Sequence, residues 1–324
     1  MLKKFSLLLA VVLIFLLANV AFAQDFKAAM VTDVGGLGDQ SFNDAAYRGL
    51  KQAEEELGIK ITVIESNTMT DYVPNLSSLA EQGYDMVWAV GFLMTDALEE
   101  VSQMYPDTKF GLIDSVVEQP NVVSVTFAEH EGSFLAGIAA AMKSETGTVG
   151  FIGGMETTLI KKFEAGFRAG VKAVEPDMKI LIGYTGVFDD PGAGKELALT
   201  QFNQGADVIY HASGACGIGV IKAAEEKDLY AIGVDSPQNH LAPDNVLTSM
   251  IKRIDVAVFE EVNALYNDNF STGVRTYNLK SDGVGLYMPQ AEKMLSQETL
   301  DKVDMYKNQI INGEISVPDN PDNL

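Results

Sequence analysis

The chain has 324 residues, too many for one small core and about right for two domains of ordinary size. Hydrophobic residues make up 47% and charged residues 21%, so the chain can bury a core and lacks the composition of a disordered protein. Against 23 Lys and Arg stand 45 Asp and Glu, a formal charge of −22 whose field repels a polyanion and argues against nucleic acid as a partner.

At the start of the chain, Lys3 and Lys4 precede an apolar run from Leu7 to Leu17 and then Ala21-Phe22-Ala23. This is the layout of a secretory signal over residues 1–23 with an A-x-A cleavage site. The run is short for a membrane span, and nothing after Gln24 is long and apolar enough to be one. The expectation is an exported chain, periplasmic or secreted and soluble after cleavage, with no cysteine near the cleavage site to carry a lipid anchor. Cys216, the only cysteine, cannot form an internal disulfide; between Gly214 and Gly217, with no His in its loop, it reads as a small apolar filler.

Further along, Lys27 to Thr32 reads as a strand, Val34 to Ser41 as a polar, Gly-rich loop, Phe42 to Leu57 as a helix and Ile59 to Glu65 as a second strand. That series is the βαβ pattern of a parallel sheet. The helix carries Ala46, Leu50, Ala53 and Leu57 on one stripe, with Lys51, Glu54, Glu55 and Glu56 mostly off it, and Gly58 ends it. Met86 to Val90 and Val208 to Tyr210 are unbroken apolar runs, as expected of strands covered by helices on both faces. The series then repeats about 121 residues on. Phe42 with Gly49-Leu50-Lys51 recurs as Phe163 with Gly170-Val171-Lys172, Gln82 to Trp88 recurs as Gln204 to Tyr210, and Asp114 at the end of its apolar run recurs as Asp235. An α/β chain made of two similar halves follows.

In open parallel sheets ligands sit at the carboxyl ends of the strands. The loops there offer Asp33 to Asn43, Asn67 to Tyr72, Gly91 to Asp96 and Asp114 in the first half. The second half offers Gly153 to Thr158, Phe188 to Lys195, Ser213 to Gly217 and Asp235 to Asn239. Carboxylates, amides and aromatics are present without a nucleophile and base pair, so the set suits holding a ligand and no enzyme is expected. Gly35-Gly36-Leu37-Gly38 fails the dinucleotide spacing, and Asp39 would put an anion where the pyrophosphate must lie. Gly192-Ala193-Gly194-Lys195 lacks the earlier glycine of a P-loop and is followed by Glu196, so it reads as a turn and helix start. His130, His211 and His240 are scattered without metal-ligand spacing, and no metal or cofactor is assigned.

The stretch V-T-D-V-G-G-L-G-D-Q-S-F-N-D from Val31 to Asp44 resembles the opening motif of the basic membrane protein family, extracytoplasmic substrate-binding proteins of ABC importers that include purine nucleoside receptors. The resemblance continues through Gly91-Phe92, Ile113-Asp114, Phe127 to Gly137, Phe151 to Met155, Phe188 with Asp190, Gly233 to Asp235 and Leu247 to Lys252. It implies a type I periplasmic-binding-protein fold, two similar Rossmann-like lobes joined by a hinge with the ligand cleft between them. Carried over by residue, it implies a base stacked between Phe42 and Phe188, polar contacts from Asp33, Asn43, Asp114, Asp235 and Lys252, and Gly214 lining the cleft. A purine nucleoside as the small-molecule ligand, a membrane permease as partner and a monomeric receptor are the corresponding expectations. Riboflavin or a sugar in the same cleft, and a sensor that signals to a membrane partner without transport, stay open as rivals. Taken alone, Phe42 and Phe188 are each more often core than stacking platform, and Phe163 reads as core or rim, Asp114 and Asp235 as helix caps, and Lys252 as a solvated lysine.

Two departures from the family stand out. Many relatives are lipoproteins, whereas no cysteine lies at residues 20–30 here. Pro237 stands beside Asp235 where relatives often carry an acid, which could alter the ligand because proline removes an N–H and fixes the backbone. The expected limits are residues 24–128 plus about 240–282 for the first lobe and 129–239 plus about 283–324 for the second. Residues 316–324 read as a surface extension.

Overall fold

The first described strand, Lys27–Val31 (β1), has four fully buried residues in succession from Ala28 to Val31, a run with no face to offer water. It is the inner strand of a sheet, paired in parallel with Lys60–Ile64 (β2) on one side and Met86–Val90 (β3) on the other. These elements come from a computed structural model that describes residues 26–323, so the expected signal at residues 1–23 lies outside the described residues. Lys109–Ile113 (β4), Val122–Phe127 (β5) and Gly273–Tyr277 (β11) complete the sheet in the order β11-β5-β4-β3-β1-β2, all parallel.

The second sheet repeats the plan. Thr148–Gly153 (β6), Lys179–Tyr184 (β7), Val208–Ala212 (β8), Tyr230–Asp235 (β9), Val246–Lys252 (β10) and Val284–Leu286 (β12) lie in the order β12-β10-β9-β8-β6-β7. Strand for strand the two orders correspond, and the sole difference in sense is β12, which runs antiparallel to β10. Trp88 in β3 and Tyr210 in β8, partners in the sequence repeat, are both fully buried.

Helices cover both sheets. In the first lobe these are Phe42–Leu57 (α1), Tyr72–Glu81 (α2) and Thr95–Met104 (α3). The second holds Glu129–Lys143 (α4), Thr158–Val174 (α5), Pro191–Asn203 (α6) and Cys216–Lys227 (α7). Ile254–Tyr266 (α8) returns to pack on α1, while Met288–Met294 (α9) and Gln297–Ile311 (α10) lie against the second lobe. α1 has the bounds its apolar stripe predicts, and Gly58 closes it with φ 69°, its N–H bonded to the Glu54 carbonyl. At α6, Asp190 caps the helix by accepting from the N–H groups of Gly192 and Ala193, so Gly192 to Lys195 is a helix start, as the missing P-loop glycine predicts.

Among the described residues the chain passes between lobes three times, after Phe127, after Lys252 and between Tyr277 and Val284. The passages are stitched together: the Ala128 N–H donates to Tyr277 O, Arg253 N–H to Gly283 O, and Leu279 N–H to the Glu131 carboxylate. The expected lobe limits need correction here. Residues from about 240 are expected in the first lobe, but β10 sits between β9 and β12 in the second sheet, so that crossing comes after Lys252. The tail also departs from a bare surface extension, because Val317 is buried and the last turn packs on α5.

Candidate functional site

Equivalent strands of the two lobes end in equivalent backbone. Asp114 follows β4 with φ 70° and Asp235 ends β9 with φ 61°, both in the left-handed region that non-glycine residues rarely occupy. Neither aspartate caps a helix. Asp114 Oδ2 lies 2.5 Å from the Lys252 ammonium, and Asp235 Oδ2 accepts a 2.6 Å hydrogen bond from Ser41 Oγ across the cleft.

All eight residues that the resemblance singled out line one cleft: Asp33, Phe42, Asn43 and Asp114 from the first lobe, with Phe188, Gly214, Asp235 and Lys252 from the second. The cleft narrows to a cavity of about 50 Å³. The space is a slot between the lobes. Aromatic rings meet across it: Phe92 on the first lobe and Phe188 on the second form a T-shaped pair, with centroids 6.3 Å apart and planes at 79°. Glycines let the rings come close. A Cβ on Gly154 would lie 2.2 Å from the Phe188 ring, and Gly91 at φ 118° leaves room beside Phe42 and Asp33.

At the first-lobe end, Asp33 Oδ1 accepts from the Gly35 N–H and from Asn43 Nδ2 at 2.8 and 2.9 Å. Asp39 accepts from the N–H groups of Ser41, Asn43 and Asp44 and from Asn43 Nδ2, which fastens the loop to the start of α1. Burial raises both carboxyls to about 6 despite these bonds. Burial likewise raises Asp114 to about 6 against the opposing pull of Lys252, and raises Asp235 above the usual range. Asn43 Oδ1 and Asp114 Oδ1 are buried acceptors with no hydrogen bond from the protein. A ligand donor would satisfy them.

Lys252 is the one cation lining the slot among the described residues, and it is only 1% exposed. Its ammonium has Asp114 on one side, Glu129 Oε1 at 3.2 Å on another, and the rings of Phe127, Phe42 and Phe163 at 5.0, 5.3 and 5.6 Å. Burial alone would lower its pKa, but Asp114, Glu129 and Asp235 together hold it above the ordinary lysine value. The lysine is therefore a charged, enclosed group and not a solvated one.

Sequence reasoning places Asp39, Phe92 and Ser213 in the candidate loops without giving them a role, passes over Glu129, and leaves Phe163 open. Phe163 is both: 3% exposed and part of the slot wall. Pro237 is exposed and outside the lining, so the position that departs from relatives does not touch the slot directly. Its neighbour Gln238 is fully buried, accepting from the Val234 N–H and pairing with His211 Nε2. His211 is thereby a structural residue, its pKa lowered by burial to about 4. Cys216 is buried, with its thiol toward the Val187 carbonyl, in keeping with an apolar filler.

A family model described as ABC transporter substrate-binding protein PnrA-like (Bmp) matches residues 26–321. The chain belongs to this family. Among curated Bmp-like relatives, the CD4+ T-cell-stimulating antigen of Listeria monocytogenes is 38% identical, the alignment covering 92% of this chain and 90% of that one. The ABC transporter nucleoside-binding protein BmpA of Lactococcus lactis subsp. cremoris is 37% identical, with 91% and 89% covered. Among solved structures, an ABC transporter solute-binding protein from Aeropyrum pernix superimposes with a TM-score of 0.85 at 30% identity, covering 92% of this chain and 95% of that chain. The Bmp fold is thus the two-lobe solute-binding fold, and a member is a substrate-binding protein of an ABC transporter. Membership implies a small-molecule ligand and a membrane permease as partners.

Proposed function

We propose that the protein binds a purine nucleoside between its lobes and presents it to the permease of an ABC importer. The observation that carries this reading is a narrow slot with phenylalanine rings from both lobes and four aspartates, whose single cation is already paired. Phenylalanine rings facing a cleft suit a flat ring, and stacking on an aromatic face contributes roughly 1–3 kcal/mol per base. Hydrogen bonds from ribose hydroxyls or base N–H groups to buried carboxylates contribute roughly 1.5–3 kcal/mol each. After ordering costs, such a set reaches micromolar binding or better, which requires about −8 kcal/mol. A phosphate would meet four aspartates and no free cation, so a nucleoside suits the slot better than a nucleotide. The name of the Lactococcus relative, a nucleoside-binding protein, supports the same ligand class.

Export follows as part of the proposal: residues 1–23 are removed as a secretory signal and a monomeric receptor works outside the cytoplasm. The N-terminal sequence of protein recovered from the periplasm or medium, and its mass in solution, check these two points. The ligand is tested by thermal denaturation of protein freed of bound ligand by unfolding and refolding, against inosine, guanosine, adenosine, their 5′-phosphates, riboflavin and pentoses. The expected result is a rise in melting temperature with nucleosides and not with their phosphates. Stabilisation by riboflavin or a pentose alone would replace the nucleoside with that ligand.

A further inference from the structure

Three groups of one ion cluster come from three different places. Lys252 ends β10 at the second crossing, Glu129 opens α4 at the first, and Asp114 follows β4 on the far side of the cleft. The ammonium therefore has one partner in its own lobe and one in the opposite lobe. Its side chain is 1% exposed, those of Glu129 and Asp114 are 1% and 3% exposed, and neither Glu129 oxygen makes a hydrogen bond. Lys162, partly exposed on α5, stands 3.8 Å from the other Glu129 oxygen. Asp235 adds its charge to the lysine's surroundings from the end of β9.

When the lobes separate, Asp114 leaves with its own sheet, but Glu129 and Lys252 stay together because α4 and β10 pack within one lobe. Phe42 and Phe127 leave with the first lobe as well, so Lys252 stays beside Phe163 with Glu129 as its close counter-ion and Asp235 further off, and a lysine held there without that close partner would carry a desolvation cost. We propose that Glu129 is the positioning residue of the site: it holds Lys252 as its standing counter-ion while the cleft is open, and the ammonium turns to Asp114 as the cleft closes. Glu129 competes with Asp114 for one charge, so it lowers the cost of opening. Removing it leaves Asp114 as the sole close partner and favours the closed form. Removing Asp114 has the opposite effect. A residue that served only to pack the hinge would not give shifts of opposite sign at the two carboxylates.

The inference rests on the two-lobe receptor reading and not on which ligand fills the slot, so its test uses none. Small-angle X-ray scattering on the full mature chain, freed of ligand, reads the balance of open and closed lobes from the radius of gyration. Glu129→Gln is expected to raise the closed-to-open ratio on the order of tenfold, and Asp114→Asn to lower it. Glu129→Asp retains the charge and should fall between Glu129→Gln and the wild type. If Glu129→Gln does not fold, as judged by its circular dichroism and melting curve, Glu129→Asp carries the same test with a smaller shift toward closure. An unchanged or more open form in either Glu129 variant overturns the proposal. So does a ligand-free wild type that is wholly closed, because no open state would then need the counter-ion. A failed nucleoside panel would leave these scattering results standing.

Discussion

Asp33 and Asp39 share the amide of a single asparagine, Asn43, and both are buried. Desolvation raises each from 3.8 to about 6, so the folded protein holds more protons than the unfolded chain between those values. Their contribution to stability is therefore present at low pH and lost as pH rises through about 6. His211, lowered by burial from 6.5 to about 4, works in the opposite direction, since the unfolded chain takes up its proton first as pH falls. A comparison of Asp33→Asn with the wild type cancels the histidine. With ligand absent, the variant is expected to be more stable by about 1–2 kcal/mol at pH 7.5, after allowance for its altered bonds, with the gap closing near pH 4. Urea denaturation at the two pH values measures this, and an equal gap at both would remove charge burial as the cause. The same substitution should weaken nucleoside binding, as expected where stability has been exchanged for a site. Phe42→Ala isolates the aromatic contribution: a loss of roughly 1–3 kcal/mol of binding, read by calorimetry with inosine, is the expected result, and unchanged affinity would return Phe42 to the core.

At the level of elements, glycines set how closely the covering helices approach. A Cβ on Gly170 of α5 would lie 2.0 Å from the Phe134 carbonyl oxygen of α4, and one on Gly137 would lie 2.2 Å from the Phe167 carbonyl oxygen. Gly219 of α7 faces Pro191 of α6 in the same way, and Gly49 of α1 faces Asp255 of α8. In an exposed helix Gly→Ala gains about 1 kcal/mol of propensity. At position 170 the backbone of a neighbouring helix must move instead, so Gly170→Ala is expected to destabilise the protein by about 1–3 kcal/mol; a higher melting temperature would show that the α4–α5 pair yields freely. Much of this level was legible in the sequence. The apolar runs and the glycine after Leu57 are local signals, and the repeat of Gln82–Trp88 as Gln204–Tyr210 carried the duplicated plan. The lobe that takes β10 was not legible, because strand pairing is a tertiary choice that the residues of Val246–Lys252 do not announce. Glu129 was hidden for a related reason: an acid at a helix start reads as an ordinary first-turn charge, and only the arrival of Lys252 from far along the chain makes it part of a site.

Across the whole molecule, closure is held by contacts that involve no ligand. Ser41 Oγ donates to Asp235, the Arg48 guanidinium to Ser236 Oγ at 2.7 Å, and Gln238 Nε2 to the Gln40 carbonyl at 3.2 Å; Ser236 Oγ also donates back to the Ser41 carbonyl. They fasten α1 and its preceding loop to the loop after β9, while Lys252 and Asp114 join the lobes nearer the hinge. A receptor whose competent form is one of two lobe arrangements binds with its intrinsic affinity reduced by the fraction that can close. Arg48 does not line the slot, so Arg48→Ala changes the lobe balance without removing a ligand contact. Its bond to Ser236 is partly buried, and a charged hydrogen bond of this kind contributes roughly 1.5–3 kcal/mol, less where solvent reaches it. The expected result is a loss of inosine affinity on the order of tenfold, seen chiefly as faster release, because the open form that first meets the ligand lacks the bond and the closed form that retains it has been weakened. Stopped-flow measurement of both rates separates the possibilities. Slower association with unchanged release would place Arg48 in the encounter step, and unchanged rates would show that the lobes close without this clasp.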